Sequence, residues 1–203
     1  MKRTMLLAAA ALLIAGTANA QTVNSGQTNN ANVRAKLNAT ISNVQGDVSA
    51  TAAAIGNSLT AGSGGETAGV INNTQRFFGD ANAQLNTTVA NIDGKVNATA
   101  AAIANSATID THYTGTINNL QTVNYDPSAV LNANIRGVSD EVSATAAAIG
   151  NSATIKGDFG YANSTQMNYA GVNAAANATV RDVSAKVSAT AAAIGNTLTV
   201  TGF

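Results

Sequence analysis

Four glutamines, Gln27, Gln75, Gln121 and Gln166, lie 48, 46 and 45 residues apart, and four asparagines, Asn57, Asn105, Asn151 and Asn196, keep the same intervals. A carboxamide carries two N–H donors and an acceptor oxygen, so its chemistry is hydrogen bonding. Identical amides stacked from one repeat to the next can form ladders along an axis. Residues for bond-making chemistry are scarce: His112 is the one histidine, and there is no cysteine. A Ser-His-Asp arrangement would need His112 as its base. It stands instead in the segment DTHYTG, with no G-x-S-x-G nucleophile motif anywhere in the chain. His112 is expected to be an exposed loop side chain, with no catalytic residue and no enzymatic activity. Zinc sites draw on several Cys and His ligands, and calcium-binding β-rolls on a glycine-aspartate nonapeptide, neither of which is present. Gly46-Asp47, Gly79-Asp80 and Gly157-Asp158 read as solvated turns, and neither metal nor cofactor is expected.

The elements that would position these amides also repeat. VSATAAAIGN from Val48 returns as VNATAAAIAN from Val96 and as VSATAAAIGN from Val142 and Val187. Upstream of each block stand NATISNVQGD, NTTVANIDGK, NANIRGVSDE and NATVRDVSAK, from Asn38, Asn86, Asn132 and Asn177. The glutamines close a second motif, N-x-x-Q. Repeats of this length mean stacked supersecondary units, so function belongs to a repeated surface and not to one pocket. The repeats divide the chain at approximately 21–69, 70–115, 116–160 and 161–203.

Two periodicities compete within the block. Val89, Ile92, Val96, Ala100 and Ile103 recur at steps of three and four, the stripe of a helical repeat. Taken by twos, Val44, Gly46, Val48, Ala50, Ala52 and Ala54 share one face, opposite Gln45, Asp47, Ser49, Thr51, Ala53 and Ile55. Gly46, Gly94 and Gly137 would each cost a helix about 1 kcal/mol relative to alanine. The Gly-Asn pairs at Gly56, Gly150 and Gly195 carry turn chemistry, followed by further alternation. Strand is favoured, and with it an all-β fold, a β-solenoid of four repeats with two coils of about 20 to 24 residues in each. The helical repeat is the alternative.

The first twenty residues read as a secretory signal peptide: Lys2 and Arg3, an apolar run from Met5 to Ala15, and the small-x-small site Ala18-Asn19-Ala20. That run is too short to span a bilayer stably, so no transmembrane segment is expected once it is removed. The mature chain from Gln21 would be secreted as a single repeat domain. It holds 25 Asn, and Leu, Ile, Val and Phe together make up only 37 residues, near the level where a conventional core becomes hard to build. Eight basic and ten acidic residues follow residue 20, which gives no electrostatic reason to expect nucleic acid as a partner. With no cysteine for a disulfide, backbone ladders and repetitive packing must hold the fold. N-x-[ST] triplets such as Asn38-Ala39-Thr40 follow from the Asn- and Thr-rich repeat and are read as structural.

The segments Gly150 to Ile155 and QMNYAGVNAA from Gln166, with the glutamine of each N-x-x-Q, resemble curlin-type repeats of secreted bacterial amyloid fibres. The alanine block is similar to repeats of bacterial surface proteins that include holdfast-attachment proteins. The unit here is about twice as long as a curlin repeat and carries an alanine block that curlin lacks. The resemblance implies a secreted subunit of a surface fibre or biofilm matrix, acting in adhesion and assembling through the ends of the solenoid, with itself or with a fibre or outer-membrane partner. An outer-membrane adhesin binding polysaccharide is one alternative. An ice-binding solenoid, resting on ranks such as Ser49 and Thr51 or Ser188 and Thr190, is another. Phe203 is expected to cap the last coil or to dock onto a partner, and specific recognition is placed in Thr60 to Phe78, Asp110 to Asp126 and Lys156 to Tyr169.

Overall fold

The structure, a computed structural model, describes residues 22–62 and 69–202; the expected signal peptide and Phe203 lie outside the described residues. The described residues form β1 (Thr22–Asn29), β2 (Val33–Gln45), β3 (Val48–Gly62), β4 (Val70–Phe77), β5 (Ala81–Asp93), β6 (Val96–Val123), β7 (Ser128–Val138), β8 (Val142–Asn168), β9 (Asn173–Val183) and β10 (Val187–Gly202). The fold is all-β, and every strand pairing is parallel. Each ladder joins a residue to its equivalent one repeat away, such as Gln27 to Gln75, Leu37 to Leu85 and Val48 to Val96.

One repeat therefore makes one complete coil, which corrects the expectation of two coils per repeat. Parallel in-register stacking sets like side chain on like. The short N-x-x-Q strand and the long alanine strand cannot supply that match to each other, whereas successive repeats can. The first coil comprises β1, β2 and β3; the second, β4, β5 and the start of β6. The third runs from the end of β6 through β7 into β8, and the fourth from the end of β8 through β9 to β10. Strands β2, β5, β7 and β9 form one sheet and the remaining strands the other.

Alternation by twos decides which side chains enter the core. Val48, Ala50, Ala52 and Ala54 are buried, while Ser49 and Thr51 face outward. The alanines pack against Leu85, Val89, Ile92, Leu131, Ile135 and Val138 of the facing sheet, so small residues on one wall meet large ones on the other. A second cluster, Ile71, Ile109, Ile117 and Ile155, fills the space beneath the N-x-x-Q strands. The helical alternative is overturned. Its stripe would bury Ile55 and Ile194, which are each 38% exposed, and would leave out Ala98, which is 1% exposed. Parallel ladders satisfy the backbone from coil to coil, and the period-two pattern then supplies the buried face.

The corners are not all where turn chemistry pointed. Asn43, Asn91, Gly137 and Asp182 occupy equivalent places and share left-handed φ values of 55°, 56°, 62° and 55°. They turn the chain at the end of the β2–β9 sheet. The Gly-Asn pairs mark a second column of corners and, like the first, lie inside strands that run on without a break, β3, β8 and β10. The strand changes face there, so that Ala104 and Asn105 are successive residues and both fully buried. A Cβ on Gly56 would stand 2.5 Å from the Phe77 ring, so glycine at this corner serves close approach.

Candidate functional site

Two amide ladders run through the interior. Gln75 Nε2 donates to Gln27 Oε1 at 3.0 Å, Gln121 Nε2 to Gln75 Oε1 at 2.8 Å, and Gln166 Nε2 to Gln121 Oε1 at 2.8 Å. Each glutamine also donates across its own coil to a backbone carbonyl: Gln27 to Ser58, Gln75 to Ser106, Gln121 to Ser152 and Gln166 to Thr197, at 2.8–2.9 Å. The asparagines run the other way. Asn57 Nδ2 donates to Asn105 Oδ1, Asn105 to Asn151 and Asn151 to Asn196, each at 2.8 Å. Their remaining N–H groups reach the carbonyls of Arg76, Thr122 and Met167 in the following coil, at 2.9–3.0 Å. Gln75, Gln121, Asn105 and Asn151 are fully buried, where an unpaired amide would be costly, and the ladders pair them completely.

Among the described residues the ladders stop at the first and the fourth coil: strands β1, β2 and β3 pair there only with the second coil, and β9 and β10 only with the third. Val187, Leu198 and Val200 are 47%, 45% and 48% exposed, although their equivalents Val142, Ala153 and Ile155 are buried. These side chains point along the core direction, and the fourth coil has no neighbour among the described residues to cover them.

The lateral surface is polar and regular. Asn86, Asn132 and Asn177 each donate to the preceding member of the row Asn38, Asn86, Asn132, Asn177 at 2.8–3.0 Å. With Thr40, Thr88, Asn134 and Thr179 they line a shallow trough along the axis. The ranks Ser49, Asn97, Ser143, Ser188 and Thr51, Thr99, Thr145, Thr190 stack in register on the opposite sheet. Val48, Val96, Val142 and Val187 stack at the start of the alanine strands and point inward.

His112 is exposed, but within strand β6 and not in a loop, at the register shift between Thr111 and Thr114. The segments expected to carry recognition divide, residues 63–68 of the first lying outside the described residues. Phe77 is fully buried and Phe159 packs on the isoleucine cluster, so these aromatics belong to the core. Tyr125, Tyr161 and Tyr169 remain 54%, 61% and 70% exposed. The lateral asparagine row was visible in the sequence as the aligned residues that open NATI, NTTV, NANI and NATV. The left-handed column had no such signal, because its members are Asn, Asn, Gly and Asp.

Among known proteins, the family model of holdfast attachment protein D matches residues 63–203. No curated protein and no solved structure matches the chain.

Proposed function

The chain belongs to the holdfast attachment protein D family, and on that premise we propose that it is a secreted structural subunit of a cell-surface fibre. Its work is adhesion, without catalysis: it attaches surface material to the cell by extending a β-solenoid end to end. The observation that carries this reading is the pair of parallel coil ends whose outer strand edges are unpaired among the described residues, with Val187, Leu198 and Val200 of the core exposed on the fourth coil, which together offer a template for another copy. Buried amide ladders give such a fibre the stacked hydrogen bonding of amyloid-like cross-β assemblies.

The test is to purify the mature chain, Gln21 to Phe203, raise its concentration and follow an amyloid dye together with electron microscopy. Dye-positive unbranched fibres are expected; a protein that stays monomeric at high concentration would sink the assembly reading. Cell fractionation should place the chain at the surface or in the extracellular matrix.

A second reading, an outer-membrane-associated adhesin that binds polysaccharide, is favoured by the lateral Asn/Thr trough. Sugar hydroxyls could exchange hydrogen bonds with its repeated amides. Substituting Asn86 and Asn132 with alanine should then lower retention of the protein on surface polysaccharide while leaving fibre formation intact.

A further inference from the structure

We propose that the assembly has a fixed polarity, in which the fourth coil of one copy accepts the first coil of a second copy and never another fourth coil. The proposal rests on the end-to-end assembly argued above and adds its direction and register.

The direction comes from the amides. Every ladder glutamine spends one N–H on a carbonyl of its own coil, and this fixes which end of the amide is nitrogen. Its second N–H then points toward the preceding coil, and its oxygen accepts from the following one. At the two ends this leaves Gln27 with an N–H that has no acceptor among the described residues, and Gln166 with an oxygen that has no donor among them. The asparagine ladder is anchored in the same manner but faces the other way. It leaves an acceptor, Asn57 Oδ1, on the first coil and a donor, Asn196 Nδ2, on the fourth.

Each end therefore carries one open donor and one open acceptor, at different places, and the two ends are complementary. Stacked first coil on fourth, Gln27 Nε2 of the incoming copy donates to Gln166 Oε1, and Asn196 Nδ2 donates to the incoming Asn57 Oδ1. Asn196 already shows the vacancy. Its inner counterparts donate to a carbonyl of the next coil at 2.9–3.0 Å, whereas Asn196 turns back to the carbonyl of Gln166 in its own coil at 3.3 Å. The carbonyl it would reach in a second copy is that of Thr28, the equivalent of Arg76, Thr122 and Met167.

The apolar positions agree with this register. Val187 would meet Val48, and Ala189, Ala191 and Ala193 would meet Ala50, Ala52 and Ala54, repeating the pairs that Val187 and its neighbours already make with β8. Two fourth coils facing one another would bring Gln166 oxygen toward Gln166 oxygen and would run β10 antiparallel to its mate, unlike every ladder inside the molecule. A contact between two different ends does not close on itself and generates an open filament.

The chain has no cysteine, so thiols can be placed at will. Ser49 is exposed on the first coil, and Ser188 holds the equivalent outward position on the fourth. In the polar stack they are one coil apart between copies but three coils apart within a chain. The mature chain carrying Ser49→Cys and Ser188→Cys is assembled and treated with a bis-maleimide short enough to span one coil and not three. A ladder of covalent multimers is expected, with linked peptides joining position 49 to position 188. Mixing the two single variants should give dimers linked 49 to 188 alone. Fibres that form without this link, or with 49 to 49 or 188 to 188 links, overturn the polarity while leaving assembly standing. Should the wild-type chain form no fibres, assembly itself fails and the polarity with it. If the cysteine pair alone prevents assembly, Thr51→Cys with Thr190→Cys repeats the test at the neighbouring outward rank.

Discussion

Gln121 accepts from Gln166, donates to Gln75 and donates to the Ser152 carbonyl, all within the buried interior. Replacing it with leucine keeps much of the volume but strands partners on three sides, at about 1–3 kcal/mol for each buried group left unpaired. Gln121→Leu is therefore expected to lower the urea midpoint of unfolding sharply. Gln27→Leu, at the half-buried end of the same ladder, should lower it by clearly less, since Gln27 has a ladder neighbour on one side alone. Equal effects at the two positions would contradict a continuous ladder. The glutamines could be found from spacing because a ladder requires the same side chain at the same interval. The left-handed corner was hidden, because a positive φ asks only for residues that tolerate it, and Asn43, Asn91, Gly137 and Asp182 do so with three different side chains.

At the level of the strand, alternation by twos separates positions that a helix would group otherwise. Ala98 points into a close-packed wall and is 1% exposed, while Ile103 faces outward and is only partly buried. Ala98→Leu should cost about 1–3 kcal/mol through overpacking. Ile103→Ser should cost far less, with thermal unfolding as the readout; the reverse order would revive the helical stripe. Inward alanine and outward Ser and Thr were legible in the block itself. The number of coils per repeat was not, since period two tells which face a residue takes but not which strand lies beside it. Gly56-Asn57 was legible as a corner, and the chain does change face there; what its chemistry did not tell is that the strand runs on through it and that the glycine makes room for Phe77.

The molecule as a whole is held by ladders and packing, with little help from charge. Lys95 and Glu141 make the one ion pair among the described residues, 4.0 Å apart and half exposed, and such surface pairs contribute little. Stability should thus change little between about 0.1 and 1 M salt, where exposed charge pairs are screened; a large loss of melting temperature would show that charge carries more of the fold. Membership in a surface-attachment family was foreshadowed by the repeat style, and edge strands at the two ends followed from the expected solenoid; which amide atoms stand at each end required the coordinates, because a donor or acceptor is left over only by what its partners do not use. The central claim is that one repeat is one coil and that four coils per chain join end to end. Mass per unit length of the assembled mature chain, by scanning transmission electron microscopy, tests it most directly. Four coils at the spacing of paired strands advance about 19 Å, so one chain per ~19 Å of protofilament is predicted. One chain per about 38 Å, the advance of eight strand spacings, would contradict it.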